Sequence, residues 1–213
     1  GVYIHASDLE MDGGSISGNT AQEFGGGILA QHNGRSANVA INGGEISGNT
    51  AEKNEDGGGG IWIKGGSDYK ANVTVNGGTI ADNSAKCGRG GGIRLANDCA
   101  ILNLNGGTIA GNTAKINGGG ISNDGVLNVS GAPQVHSNHL LADDEVPNNI
   151  FLPSGRTIKI GNDGIAYDKE TFVPPIIGVT LQNTAQNIRD DCDDYSEFFV
   201  SDNPNYIAVY SDG

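Results

Sequence analysis

Apolar residues in this chain come in short groups set off by Gly, Asn and other polar residues, and the groups are of three kinds. One kind holds a single central apolar residue: Ile16, Ile46, Ile80, Ile109 and Val135. A second follows a run of glycine: Ile28, Ile61, Ile93, Ile121 and Ile150. The third alternates strictly, as in Val39 and Ile41, Val73 and Val75, Leu102 and Leu104, Leu127 and Val129, Ile158 and Ile160. Alternation with period two, β-branched enrichment and Gly/Asn punctuation predict strands of about three to five residues. No segment before residue 180 carries a helical period.

The groups recur in fixed order around a repeated phrase. Asn105-Gly106-Gly107-Thr108-Ile109-Ala110-Gly111-Asn112-Thr113-Ala114 has near copies at Asn42 to Ala51 and Asn76 to Ala85, a variant from Asp12 to Ala21 and a worn copy from Gly131 to Asn138. The closing asparagines Asn19, Asn49, Asn83, Asn112 and Asn138 are 30, 34, 29 and 26 residues apart. Constant phrases joined by segments of varying length predict loops at the corners of a repeated coil. Three short strands in about 30 residues make one triangular turn of a right-handed parallel β-helix, stacked on the next turn at roughly 4.8 Å.

The predicted fold is therefore all-β. About six coils occupy residues 1–163, and a C-terminal β cap, residues 164–213, covers the open strand edges. Ile176 to Leu181, Phe198 to Val200 and Tyr206 to Tyr210 read as strands of that cap. Glycine pairs such as Gly43-Gly44 and Gly77-Gly78 fit corners that need positive φ. The asparagine ladder Asn19, Asn49, Asn83, Asn112 and Asn138 is predicted to turn inward and bond neighbouring backbone, a structural role. Gly1-Val2-Tyr3-Ile4 resembles a second strand and Leu9 with Met11 a third, so the chain reads as entering midway through a coil, with further repeats expected ahead of it.

Composition narrows the function classes. A formal net charge of -13 opposes nucleic-acid binding, which rests on neutralising phosphates with Lys and Arg. The same charge keeps copies apart, and a monomer is expected. Cys87, Cys99 and Cys192 form neither a CxxC pair nor a disulfide framework, and all three are expected to be unpaired. The apolar run around Val173 to Leu181 contains two prolines and is too short to span a bilayer.

The residues in view resemble the right-handed β-helix repeats of bacterial surface proteins, the polymorphic outer-membrane protein family and the repeat regions of large adhesins from gut bacteria. Gly26-Gly27-Ile28, Gly91-Gly92-Ile93 and Gly119-Gly120-Ile121 match the GGA/I motif of that outer-membrane family. Ile16-Ser17-Gly18-Asn19, Ile46-Ser47-Gly48-Asn49 and Ile109-Ala110-Gly111-Asn112 match its FxxN motif with Ile in place of Phe. The resemblance implies an exported bacterial protein, extracellular and anchored at the cell surface, used in adhesion to a host protein or glycan.

Parallel β-helices also carry polysaccharide lyases and hydrolases, whose sites lie on outward faces where acids and bases converge. The outward residues of the first kind of strand include Ser15, Glu45, Thr79, Thr108 and Gln134; the middle outward residues of the third kind are Ala40, Thr74, Asn103, Asn128 and Lys159. Neither set stacks two carboxylates in adjacent coils, which counts against glycoside hydrolysis. The second kind presents Leu29, Trp62, Arg94, Ser122 and Phe151. Trp62, the only Trp, faces outward by alternation and either stands exposed as a stacking platform or is covered by the loop Gly65 to Ala71, with Tyr69. Leu29, Trp62, Arg94, Phe151 and Tyr69 are thus the candidate ligand-binding ridge. The acidic loop Asp190 to Asp194 reads as a solvated turn, and no cofactor or metal is implied. The expected function is a non-enzymatic, adhesin-like surface domain; the alternatives are a carbohydrate-active enzyme fragment and a passive stalk.

Overall fold

The computed structural model describes residues 1–165, 176–182 and 198–203. They form a parallel β-solenoid in which four ladders of strands run along the stack, gathered into three sheets. The first ladder is Ser15–Ser17, Glu45–Ser47, Thr79–Ala81, Thr108–Ala110 and Gln134–His136. The second is Val2–His5, Ile28–Gln31, Ile61–Lys64, Ile93–Leu95, Ile121–Asn123 and Ile150–Leu152. The third is Asp8–Met11, Ala37–Ile41, Ala71–Val75, Ala100–Leu104, Val126–Gly131 and Ile158–Ile165. Between the first and second lies a ladder that alternation could not disclose, because each rung has two residues: Thr20–Ala21, Thr50–Ala51, Ser84–Ala85, Thr113–Ala114 and His139–Leu140.

Registers stack like on like. Ile46 pairs with Ile80 and Ile80 with Ile109; Ile28 pairs with Ile61, Ile61 with Ile93 and Ile93 with Ile121. These columns are fully buried. Each isoleucine removed from water contributes roughly 2 kcal/mol, and a single coil could bury none of them without its neighbours. At the far end, Ile177–Leu181 pairs with two ladders at once, Val135 with Ile177 and Ile150 with Val179, so the first and second ladders merge into one sheet. Phe199–Ser201 pairs beyond it, and Phe198 and Phe199 join the core cluster. Cys192, the acidic loop and the strand expected at Tyr206 to Tyr210 lie outside the described residues.

Corner chemistry explains the repeated phrase. The residue before each ladder asparagine takes positive φ: Gly18 at 64°, Gly48 at 60°, Asp82 at 55°, Gly111 at 67° and Ser137 at 55°. That turn aims the next side chain inward. The backbone N and the Nδ2 of Asn49 both donate to Asn83 Oδ1 (3.0 and 2.9 Å), and its Nδ2 also donates to the Ile16 carbonyl at 2.8 Å. Asn83 repeats this toward Asn112 and the Ile46 carbonyl, and Asn112 toward Asn138 and the Ile80 carbonyl. Asn19 donates into the column in the same way, to Asn49 Oδ1.

The GGI motif is the complement of this ladder. A Cβ on Gly92 would lie 2.7 Å from the Gly120 carbonyl oxygen and 3.1 Å from Asn112 Nδ2; one on Gly91 would meet backbone oxygens at 2.3 and 2.4 Å. Only glycine lets the backbone pass so close to the buried amides.

The column ends on a carboxylate. Asn138 donates to Asn149 Oδ1, and Asn149 donates through its backbone N (2.7 Å) and Nδ2 (2.6 Å) to Asp202, which also accepts from Thr180 Oγ1 at 2.6 Å. All the amides point their donors the same way, so their dipoles add, and the acceptor oxygens of a carboxyl group meet the positive end, where a helix N-terminus also favours an acidic group.

Candidate functional site

The outward column of the second ladder is in register: Tyr3, Leu29, Trp62, Arg94, Ser122 and Phe151 lie side by side. Its exposure differs from the expectation. Trp62 and Arg94 are each 2% exposed, and Leu29 and Phe151 are half-buried. The glycine-rich segments that lead into these strands fold back over the outer face. Phe24 stacks on the Trp62 ring with centroids 4.5 Å apart and planes at 27°, and Lys64 Nζ lies 5.8 Å from the ring centroid. Gly58 presses on the same residue, since a Cβ there would be 2.8 Å from Trp62 Cβ. The stacking partner therefore comes from the segment preceding the neighbouring strand Ile28–Gln31, whereas Tyr69, in the loop that follows Ile61–Lys64, is 41% exposed. Trp62 Nε1 is buried without a hydrogen-bond partner.

Arg94 is held as a latch between coils. Its Nε donates to Asp56 Oδ1 at 2.7 Å, one terminal nitrogen to the Leu95 carbonyl (2.8 Å) and Ser122 Oγ (3.3 Å), and the other to Asp124 Oδ2. Ser122 in turn donates to Asn117 Oδ1 at 2.8 Å. The guanidinium's planar fork is spent on carboxylates from the coil before and the coil after. The ridge expected at Trp62 and Arg94 is thus an internal seam, and sequence alternation missed this because it reports which way a side chain points and not what lies on top of it.

The first and third ladders both keep their outer faces open, and the third carries the ordered side chains. Three outward columns cross it: Asp8, Asn38, Asn72, Ile101 and Val126; Glu10, Ala40, Thr74, Asn103, Asn128 and Lys159; and a flanking row of Asp12, Asn42, Asn76 and Asn105. Side chains within columns are tied together. Asn72 Nδ2 donates to Asn38 Oδ1 (2.8 Å), and Asn38 Nδ2 to Asp8 Oδ1 (2.7 Å). Asn105 donates to Asn76, Asn76 to Asn42, and Asn42 to both Asp12 (2.8 Å) and Glu10 (3.0 Å). Asn128 donates to Asn103, which donates to Thr74. These surface columns donate toward low residue numbers, opposite to the buried ladder, and two of them again end on carboxylates.

A trough of about 440 Å³ opens in this face, lined by Asp8, Glu10, Asn38, Ala40, Asn72 and Thr74 among others. Its origin is a missing side chain: Ala40 stands in register between Glu10 and Thr74. Reading outward residues from Ala40 onward left out Glu10, which sits one coil earlier in the same column, and Asp8 beside it. Two carboxylates do share one outward strand face, an arrangement that a search across adjacent coils could not find.

Among the described residues no group of three or more His, Cys, Asp or Glu could hold a metal ion, and no helix is long and apolar enough to cross a membrane. Cys87 is an exposed free thiol; Cys99, also free, has Lys70 Nζ 3.2 Å from its sulfur. No family model, no curated protein and no solved structure matches the chain.

Proposed function

We propose that the chain is a non-catalytic repeat domain of an exported surface protein, adhesin-like in use, whose third-ladder face is held out to meet a protein or glycan. The observation that carries this is the surface amide network. Its side chains are fixed by one another along columns, so a partner meets ordered donors and acceptors and need not immobilise them on binding. A binding role also accounts for a polar face left uncovered while the second-ladder face is sealed by loops.

A second reading, a carbohydrate-active enzyme, draws support from Asp8 and Glu10 beside the trough. One experiment separates the two. Labelled protein is incubated with cultured epithelial cells and mucin and, separately, with neutral and acidic polysaccharides while new reducing ends and unsaturated products are followed. Saturable surface binding that is lost in a Thr74→Arg/Asn103→Arg variant, with no turnover, is the expected result. Turnover that disappears in Glu10→Gln would establish the enzyme, and absence of binding to every surface would leave only a stalk.

A further inference from the structure

We infer that the trough over Ala40 is a subsite for a neutral, hydroxyl-rich ligand, a sugar unit of an uncharged glycan lying along the stack of coils; the inference rests on the binding role proposed above and names its ligand class. Three features select that chemistry. Asn38 and Asn72 keep their amides oriented through the Asn72–Asn38–Asp8 relay. Each still has a second N–H and a second oxygen lone pair to offer, which suits hydroxyls that both donate and accept. Glu10 and Thr74 close the two ends of the hollow and add acceptors for the same groups.

Charge and surface type exclude the competitors. Asp8 and Glu10 oppose a uronate, sulfate or phosphate; the facing cation is Arg35, an exposed side chain 3.7 Å from Asp8. A protein partner is anchored most strongly through aromatic or large apolar side chains; none of the exposed large hydrophobics Tyr3, Tyr69, Leu141, Val146, Ile176 and Val200 belongs to a strand of this face, and its outward apolar residues, Ile101 and Val126, are half-buried and do not line the trough. The volume falls within the range of small-ligand clefts. Successive coils repeat their side chains every ~4.8 Å, a spacing close to the advance per residue in an extended glycan. Neighbouring units would therefore meet the Thr74, Asn103 and Asn128 column in equivalent positions. Without an aromatic platform, affinity rests on hydrogen bonds exchanged with water and should be millimolar for one oligosaccharide, rising with chain length.

The test is a titration of ¹⁵N-labelled protein with neutral hexasaccharides of glucose, mannose, galactose and xylose, with oligogalacturonate as the charged control. The side-chain amide signals of Asn38 and Asn72 and the backbone signal of Ala40 should move saturably with at least one neutral sugar and not with oligogalacturonate. Ala40→Trp fills the hollow on a half-exposed surface position and should abolish the shifts while leaving the melting temperature unchanged. The inference is overturned if no neutral sugar moves these signals at millimolar concentration, if the shifts persist in Ala40→Trp, or if oligogalacturonate moves them equally. Loss of mucin or cell binding in Thr74→Arg/Asn103→Arg while every sugar fails would sink the glycan subsite and leave the broader binding role standing.

Discussion

At the scale of single residues, the asparagine columns make opposite demands at neighbouring sites. Asn112 stands between donors and acceptors: its oxygen takes two N–H groups from Asn83, and its Nδ2 faces the Ile80 and Ala110 carbonyls and Asn138 Oδ1. Asn112→Asp turns the donor edge into an acceptor against three oxygens and should cost about 4 kcal/mol, since each buried unsatisfied group costs ~1–3 kcal/mol; denaturant unfolding measures it. Asp202 faces only donors, and Asp202→Asn keeps its size while removing its titration. Burial holds the Asp202 carboxyl above its ordinary 3.8, against hydrogen bonds from Thr180 and Asn149 and the charge of His139. A raised carboxyl holds its proton more tightly folded than unfolded. Its stabilising contribution is therefore complete below 3.8 and is lost as pH rises through the folded value. The melting temperature of Asp202→Asn relative to the parent should accordingly increase from about pH 4 to about pH 7, and a difference independent of pH would refute the assignment. Ser137 occupies a left-handed corner that three of its four counterparts fill with Gly. Ser137→Gly should gain about 1 kcal/mol, read as a higher midpoint of thermal unfolding.

At the scale of elements, the outer seam of the second ladder is held by Arg94. Arg94→Met keeps the length of the stem and strands Asp56 and Asp124 without their cation. A cost of about 3 kcal/mol is expected, and Arg94→Lys should recover little of it because an ammonium cannot serve both carboxylates and the Leu95 carbonyl in one plane. Equal stability of the Lys variant and the parent would contradict the latch. The strands themselves were legible residue by residue: every inward isoleucine named from alternation sits in its predicted ladder. The two-residue Thr-Ala rungs were not, since two residues carry no period. The seam escaped for a related reason. Phe24 and Asp56 are remote in sequence from Trp62 and Arg94 and meet them only after the coils stack.

At the scale of the whole molecule, each coil touches only its neighbours, so stability is distributed along a line. Backbone amides of Ile61–Lys64, Ile93–Leu95 and Ile121–Asn123, paired on both sides, should exchange with deuterium more slowly than those of Val2–His5, paired on one. Uniform exchange along the second ladder would point to a single cooperative block. The acidic balance of the chain adds a further asymmetry, because the surface columns of the third ladder gather Asp8, Glu10 and Asp12 at one end of the face and Lys159 at the other. The face therefore has a polarity as well as a pattern, and a partner would lie along it in one direction.

Sequence alone determined the coil: local periodicity, corner glycines and the repeated asparagine specify a parallel stack of short strands because each is a short-range property of the backbone. Which outward column stays open was decided only by tertiary structure. Alternation assigns a side chain to a face, but burial depends on loops of varying length that return across that face. In this chain they close over Trp62 and Arg94 and leave the hollow at Ala40 uncovered.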